Sequence, residues 1–327
     1  MTCLVCGGAT RAELDHLFDD RYGHPGEFSI VRCDACGFMS TEPRLAESDL
    51  PDLYARYYPR RRTTADEVRR SANAMAIWTR LGRLRARLLT GQWAAHYEIS
   101  PGMRVLDYGC GDCASLLELK ALGAEPVGVE VDPNVRQIAD ALGVTVHVGP
   151  LTTIPAGDES FDAVTLSQVI EHVTDPEALL RDLHAKLKPG GMLALTTPNS
   201  RALTRRVLGR RWLHWHLPFH QNHFHSGPLR ALLERAGFRV EHVGTFTPLP
   251  WWEYQAELVL RGSRRGEPHP YFDHGESAIR GVARRLLPIT RVLAGVVARA
   301  ADAAKLGDSL VVVARKPDLA RRASRAA

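Results

Sequence analysis

The chain has 327 residues, 45% hydrophobic and 24% charged, with a formal net charge of +5. This is an ordinary globular composition, long enough for one large domain and a small extra module, and it excludes a disordered or fibrous chain. No apolar run reaches the roughly 18 residues of a membrane helix, the stretch 287–301 being broken by Arg291 and Arg299, and MTCLVCGGAT carries no leader pattern, so a cytoplasmic protein with at most peripheral membrane contact is expected.

Taken in chain order, residues 1–42 read as a zinc-ribbon head. All six cysteines fall in CxxC pairs, and four of them, Cys3, Cys6, Cys33 and Cys36, form two knuckles each followed by Gly. Two knuckles supply the four thiolates of a structural zinc, and a following Gly lets amide N–H groups turn toward the sulfurs. Four thiols or an iron–sulfur centre are the alternatives. FSIVRC (28–33) is a strand of the ribbon. Residues 43–100 are a linker and N-terminal helices, with helical spacing over 71–98. From 101 to 249 strands and helices alternate. Strands are expected at 103–109, 126–132, 144–148, from 161, at 192–199 and at 238–246. Helices are expected at 113–123, 133–143, 176–191 and 226–238, the last capped by Ser226. This alternation predicts an α/β, doubly wound parallel sheet. Residues 250–306 form a helical insertion, read as a packed cap or a homodimer contact. Residues 307–317 are a final core strand, and 318–327 a disordered tail.

Ligands of such sheets bind outside the carboxyl ends of the strands, so the first strand-to-helix turn, DYGCGDC (107–113), is the candidate nucleotide loop. Asp107 ends the strand, and Gly109 and Gly111 let the backbone approach a ligand. Glu130 ends the next strand, where a carboxylate can accept the hydroxyls of a ribose. Cys110 and Cys113 read either as small residues of this loop or as a metal or redox pair. The ordered set DYGCGDC, GVEVD, FDAV, QVIEHV and LKPGG resembles the class I S-adenosylmethionine-dependent methyltransferases over residues 71–247 and 309–315. The resemblance implies a seven-stranded Rossmann-like sheet with a reversed last strand, and S-adenosylmethionine as cofactor. It implies that Asp107, Gly109 and Gly111 meet the amino-acid part of the cofactor, that Glu130 holds its ribose, that Leu151 flanks the adenine and that Gln168 closes the site. Cys113 stands where many members carry Gly, a place it can fill if its φ stays negative. With the CxxC ribbon, DRYGHPG and YYP, the chain resembles a bacterial group with a zinc-ribbon head, linked to sugar, polysaccharide or secondary-metabolite methylation.

Methyl transfer needs the nucleophile positioned and, for oxygen, a base within reach, for which His is the natural group near neutral pH. Two clusters offer one. Glu171-His172 resembles the loop of ubiquinone-type O-methyltransferases, whose acid-rich version binds a divalent metal; Gln168 replaces an acid of that version, and the pair otherwise reads as a helix cap or cofactor-loop lining. The segment 210–229 holds His214, His216, His220, His223 and His225 among Trp and Phe, with His220 and His223 as candidates for the acceptor side and satisfied structural histidines as the alternative. Tyr54, Tyr57 and Tyr58 wall the pocket or pack the linker. A small-molecule acceptor, such as a nucleotide-sugar or glycan, is the leading expectation. The rivals are an RNA methyltransferase gripping RNA with its zinc head, opposed by the acidic head (Asp15, Asp19, Asp20, Asp34), and a non-catalytic cofactor-binding module.

Overall fold

A computed structural model describes residues 2–58, 64–75, 81, 99–274, 277 and 293–318. The elements are β1 (Thr10–Leu17), β2 (Phe28–Cys33), β3 (Met39–Glu42), α1 (Leu50–Tyr57), α2 (Ala65–Met75), β4 (Arg104–Tyr108), α3 (Ala114–Ala121), β5 (Glu125–Glu130), α4 (Val135–Leu142), β6 (Thr145–Val148), β7 (Phe161–Ser167), α5 (Pro176–Lys186), β8 (Leu187–Pro198), α6 (Leu203–Leu208), β9 (Asn222–His223), α7 (Ser226–Arg235), β10 (Arg239–Phe246), α8 (Leu249–Arg261), α9 (Pro270–His274), a helix over 293–303 and β11 (Ser309–Arg315). Most of the helix read over 71–98 and of the segment 275–292, and nearly all of the tail, lie outside the described residues. Among the described residues no helix is long and apolar enough to cross a membrane.

Seven strands form one sheet in the order β10-β11-β8-β7-β4-β5-β6. β4, β5, β6, β7 and β8 are parallel, and β11 runs antiparallel to both β8 and β10. The central strands read as continuous apolar runs because helices cover both faces; Val105, Leu106, Val164 and Leu193 are fully buried. From β4 the chain goes to β5 on one side, and later returns to β7 on the other. The crevice between the carboxyl ends of β4 and β7 is therefore the switch point where such sheets take ligands.

A second sheet, β1-β2-β3-β9, is the ribbon. Its last strand belongs to the histidine-rich segment, with Met39 opposite His223 and Ser40 opposite Asn222. Phe38 meets Phe224 at 5.2 Å, and Cys3, Val5, Cys33 and Phe38 share one apolar core with Leu106, Leu166 and Leu229. The ribbon's apolar side is thus continuous with that of the large sheet.

Three local expectations are corrected. The helix read over 176–191 ends at Lys186, and LKPGG already belongs to β8, because the residue before Pro189 is driven toward extended backbone. The cap of α7 is His225, not Ser226: the His225 ring accepts from the Gly227 N–H, and its other nitrogen donates to the Cys36 carbonyl at 3.1 Å. Cys113 does not keep a negative φ; it sits at φ 66°, ψ 11° as the N-cap of α3, where the loop folds back so that its N–H meets the Cys110 carbonyl at 3.0 Å. A left-handed non-glycine residue costs about 1 kcal/mol, offset by burying the whole side chain beside Leu116 and Val135.

The ribbon and the sheet are pinned at Thr41. Its hydroxyl donates to the His220 carbonyl at 2.6 Å and lies 3.0 Å from His223 Nε2. Because that hydroxyl spends its proton on the carbonyl, His223 must donate to it. Thr41→Val keeps the shape and strands both buried partners. Denaturant unfolding is expected to show a loss of about 1–3 kcal/mol, and an unchanged midpoint would mean that the joint is not set by this hydroxyl.

Candidate functional site

The crevice floor is built by the turn after β4. Asp107 is buried and accepts from Thr165 Oγ1 at 2.6 Å and from Ser115 Oγ. Burial pushes its carboxyl above the usual range, against the pull of these two hydroxyls. Gly109 has φ 76°, and a Cβ there would fall 2.5 Å from Val169 Cγ2, so only glycine fits. Gly111 has φ 54° and faces open space. Its N–H donates to Glu130 Oε2 at 3.0 Å, while Glu130 Oε1 accepts from the N–H groups of Val131 (2.7 Å) and Asp132 (3.1 Å). Three amide donors thus hold this carboxylate at the crevice edge. Leu151 is buried in the turn after β6, close to Glu130 through the Gly149 N–H, which donates to the Glu130 carbonyl at 2.9 Å.

Cys110 and Cys113 both point into the apolar cluster around Leu116 and Val135. Their mutual hydrogen bond, and then burial, push the Cys110 thiol up. Among the described residues no third metal-ligating group converges on the two sulfurs, which favours the small-residue reading of the loop.

The other wall carries the histidines. Gln168 opens the loop after β7 in the left-handed region (φ 57°), and its amide donates to Thr196 Oγ1 (3.2 Å) and Ser309 Oγ (2.9 Å), toward β8 and β11. Glu171 is fully buried. Its Oε2 accepts from Thr197 Oγ1 at 2.9 Å, its Oε1 has no partner, and burial pushes its carboxyl up to about 8. His172 Nδ1 lies 2.9 Å from the Tyr54 hydroxyl, and its ring meets that of His220 edge-on at 4.6 Å. Burial pushes the His172 ring down to about 4. His220 Nδ1 donates to the His214 carbonyl at 2.9 Å, and its Nε2 faces His216 Nδ1 at 3.2 Å. Burial holds His214 and His223 down to about 3.

Sequence reasoning named His172, His220 and His223 together. The structure joins the first two and sets His223 behind them in the β3–β9 joint, 6.4 Å from His220 between ring centroids. Around them stands an aromatic wall: Tyr22 meets Tyr58 at 5.2 Å and Phe219 at 5.5 Å, and Tyr54 meets Phe219 at 5.4 Å. Tyr22, Thr41, Ser115 and Thr165 were not foreseen. For Ser115 the signal was available, since a hydroxyl eight residues after a strand-ending Asp falls in the first turn of the next helix; for Thr41 and Tyr22 there was none.

Donor atoms of Glu171, His172 and His220 lie within 4.8 Å of one another. They do not fit a metal, because both nitrogens of His220 and Nδ1 of His172 are already engaged and Gln168 offers no acid. The four N-terminal cysteines do fit one: the sulfurs of Cys3 and Cys36 are 3.6 Å apart and those of Cys6 and Cys33 3.4 Å, with all four within 4.8 Å. A tetrahedral zinc with Zn–S of about 2.3 Å sets its sulfurs about 3.8 Å apart. Gly7 (φ 72°) and Gly37 (φ 74°) make the knuckle turns, and amides of Val5 and Cys36 donate to the sulfurs of Cys3 and Cys33.

The raised Glu171 carboxyl has a measurable consequence. The folded state holds its proton more tightly than the unfolded state, so this residue penalises stability increasingly as pH rises from the ordinary carboxyl value of 4.5 through about 8. Glu171→Gln is therefore expected to melt with the wild type near pH 5 and several degrees above it near pH 8.5. Parallel melting curves across that range would contradict the raised value.

Against known proteins, the family model described as "Methyltransferase domain" matches residues 75–243. A ubiquinone biosynthesis O-methyltransferase of Xanthomonas axonopodis pv. citri is 34% identical over 165 residues, covering 46% of this chain and 68% of the relative. One from Xanthomonas campestris pv. campestris is 32% identical over 164 residues, covering 46% and 69%. Among solved structures, an S-adenosylmethionine-dependent methyltransferase from Mesorhizobium loti aligns over 77% of this chain and 98% of its own, at 19% identity and a TM-score of 0.43.

Proposed function

The chain belongs to the methyltransferase-domain family and is an S-adenosylmethionine-dependent methyltransferase, and we propose that it methylates a hydroxyl of a small molecule, a sugar or glycan precursor or a secondary metabolite, with a neutral buried histidine receiving the proton. The observation that carries this reading is the wall of neutral histidines and tyrosines beside Glu130. Burial first, with the Glu130 and Glu171 carboxylates adding to it, pushes the hydroxyls of Tyr54 and Tyr58 up. The tyrosines thus feel the Glu130 carboxylate on one side and touch the histidines on the other, Tyr54 through its 2.9 Å contact with His172 Nδ1 and Tyr58 through the His216 ring. That is where an acceptor would have to lie for in-line transfer.

In this reading the amides of Gly109 and Gly111 approach the amino-acid part of the cofactor over Asp107, whose two hydroxyl donors keep the turn in shape. Glu130 accepts the ribose hydroxyls, Leu151 flanks the adenine and Gln168 borders the crevice at β7. The cofactor supplies a methyl group on a sulfonium, so the protein needs only to align an acceptor and take its proton. His172 and His220 line the acceptor side, and His223 holds their loop. The relatives named as O-methyltransferases support oxygen as the methylated atom. Zinc on Cys3, Cys6, Cys33 and Cys36 is structural, because four thiolates leave no open position.

Calorimetric titration with S-adenosylmethionine is expected to give micromolar binding that Asp107→Ala and Glu130→Ala each lose. Transfer of labelled methyl to a panel of nucleotide-sugars, phenols and RNA is expected to mark a small molecule. Label in RNA alone would replace this reading with a nucleic-acid one.

Metal analysis of the purified chain is expected to find one zinc, lost in Cys36→Ser together with a fall in melting temperature. A folded wild type without zinc would refute the assignment.

A further inference from the structure

We propose that His216 is the catalytic base: its Nε2 takes the acceptor's proton, and a two-histidine relay through His220 shares the resulting charge. The proposal rests on the hydroxyl-methylation reading above and selects, within that site, a residue outside His172, His220 and His223, the three catalytic candidates named above.

The argument starts at a carbonyl. The His214 carbonyl can only accept, so His220 Nδ1, 2.9 Å away, carries a proton. A neutral His220 then has its lone pair on Nε2. This atom faces His216 Nδ1 at 3.2 Å. Two lone pairs cannot share that contact, so His216 carries its proton on Nδ1 and its lone pair on Nε2. His216 Nε2 is buried and has no partner, in a side chain only 5% exposed. The chain of donors and acceptors therefore ends in a free lone pair. Buried polar atoms are nearly always paired, and an exception asks for a reason, of which a catalytic role is one.

The backbone singles out the same residue. His216 lies at φ 41°, ψ 53°, a left-handed conformation that a non-glycine residue keeps only under constraint, and such strain gathers at functional sites. The ring it places meets Tyr22 at 5.5 Å, Phe219 at 5.1 Å and Tyr58 at 6.1 Å. Of the other histidines in this segment and the loop after β7, all but His214 are committed. His172 faces Tyr54, and the Phe219 carbonyl favours an N–H on its ring. His223 donates to Thr41, and both nitrogens of His225 are bonded. His214 Nε2 is also unpartnered, but its ring packs against Trp212 and Trp251 and not among the tyrosines.

The titratable and charged groups facing His216 are Tyr22 and Arg21 from the ribbon, Tyr58 after α1, His172, His214 and His220. Burial, then the charge of Arg21, hold its ring well below the ordinary histidine range. It is therefore neutral at pH 7 and able to accept. In the step, the acceptor oxygen forms its bond to the methyl carbon and the electron pair of the broken carbon–sulfur bond returns to sulfur. The O–H proton passes to His216 Nε2. The Nδ1 proton moves to His220 Nε2, so the histidine pair carries the single positive charge that the sulfonium gives up.

The test has two arms. Nitrogen-15 imidazole spectra of the full chain with S-adenosylhomocysteine, between pH 5 and 8, are expected to show His216 and His220 both as neutral Nδ1–H rings. A His216 protonated on Nε2, or charged at pH 7, overturns the relay whatever the acceptor is. In the second arm His216→Asn is used, because Asn tolerates left-handed backbone and still donates to His220. Its affinity for S-adenosylhomocysteine is expected within about twofold of wild type, and its methylation rate on the hydroxyl scored in the panel lower by about 100-fold or more. An unchanged rate removes His216 from catalysis. If no hydroxyl in the panel is methylated, the acceptor reading fails, and the spectra alone decide the relay.

Discussion

The pairing of β3 with β9 is only two residue pairs long, yet the histidine wall of the crevice depends on it. Thr41 holds the His220 carbonyl and His223 from the ribbon side, and its own N–H donates to the Gln221 carbonyl. The N–H groups of Gln221 and Asn222 in turn donate to the Glu171 carbonyl, and Asn222 Nδ2 reaches the Val173 carbonyl at 2.7 Å. Arg44 ties Thr174 to the same segment. One seam therefore connects the ribbon, the histidine segment and the loop after β7. Neither the ribbon nor the large sheet contains all of these groups by itself.

Burial sets the chemistry of that seam. A cluster of five histidines exposed to water would be partly charged near neutral pH. Enclosed here, each charged form is disfavoured, and the rings stay neutral with one donor and one acceptor nitrogen each. Neutral rings must then be arranged head to tail, and carbonyl anchors such as that of His214 give the arrangement a direction. The Glu171 carboxyl obeys the same rule with opposite sign, being held protonated where an exposed glutamate would ionise. The histidines and Glu171 are thus polar in their atoms and uncharged, with Arg21 the charged group whose field reaches them.

Much of the crevice floor was legible in the sequence because its determinants are local. Asp107, Gly109, Gly111 and Glu130 mark strand ends and a turn, and strand ends are set by short-range pattern. The four cysteines were legible because two knuckles carry their own spacing. What escaped were features fixed across long distances. β9 is too short to have a pattern, and it exists because β3 comes to meet it. The left-handed backbone of Cys113 and His216 is imposed by the packing of neighbouring segments, against the preference of either residue. The histidine segment was recognised as a cluster, but nothing in the order of its residues says which nitrogen is left without a partner.

The length of chain between the two halves of the joint bears on how the protein is made. Thr41 and the His223 ring it bonds are 182 residues apart. The ribbon leaves the ribosome first, so the free edge of β3 waits while the whole parallel part of the large sheet is synthesised. Closing so distant a contact is slow, and an unpaired strand edge is the surface on which chains pair wrongly with one another. β3 has only four residues and is sealed at last by a segment of two. A short edge offers little to a foreign strand, so the brevity of the joint protects the nascent chain during that wait.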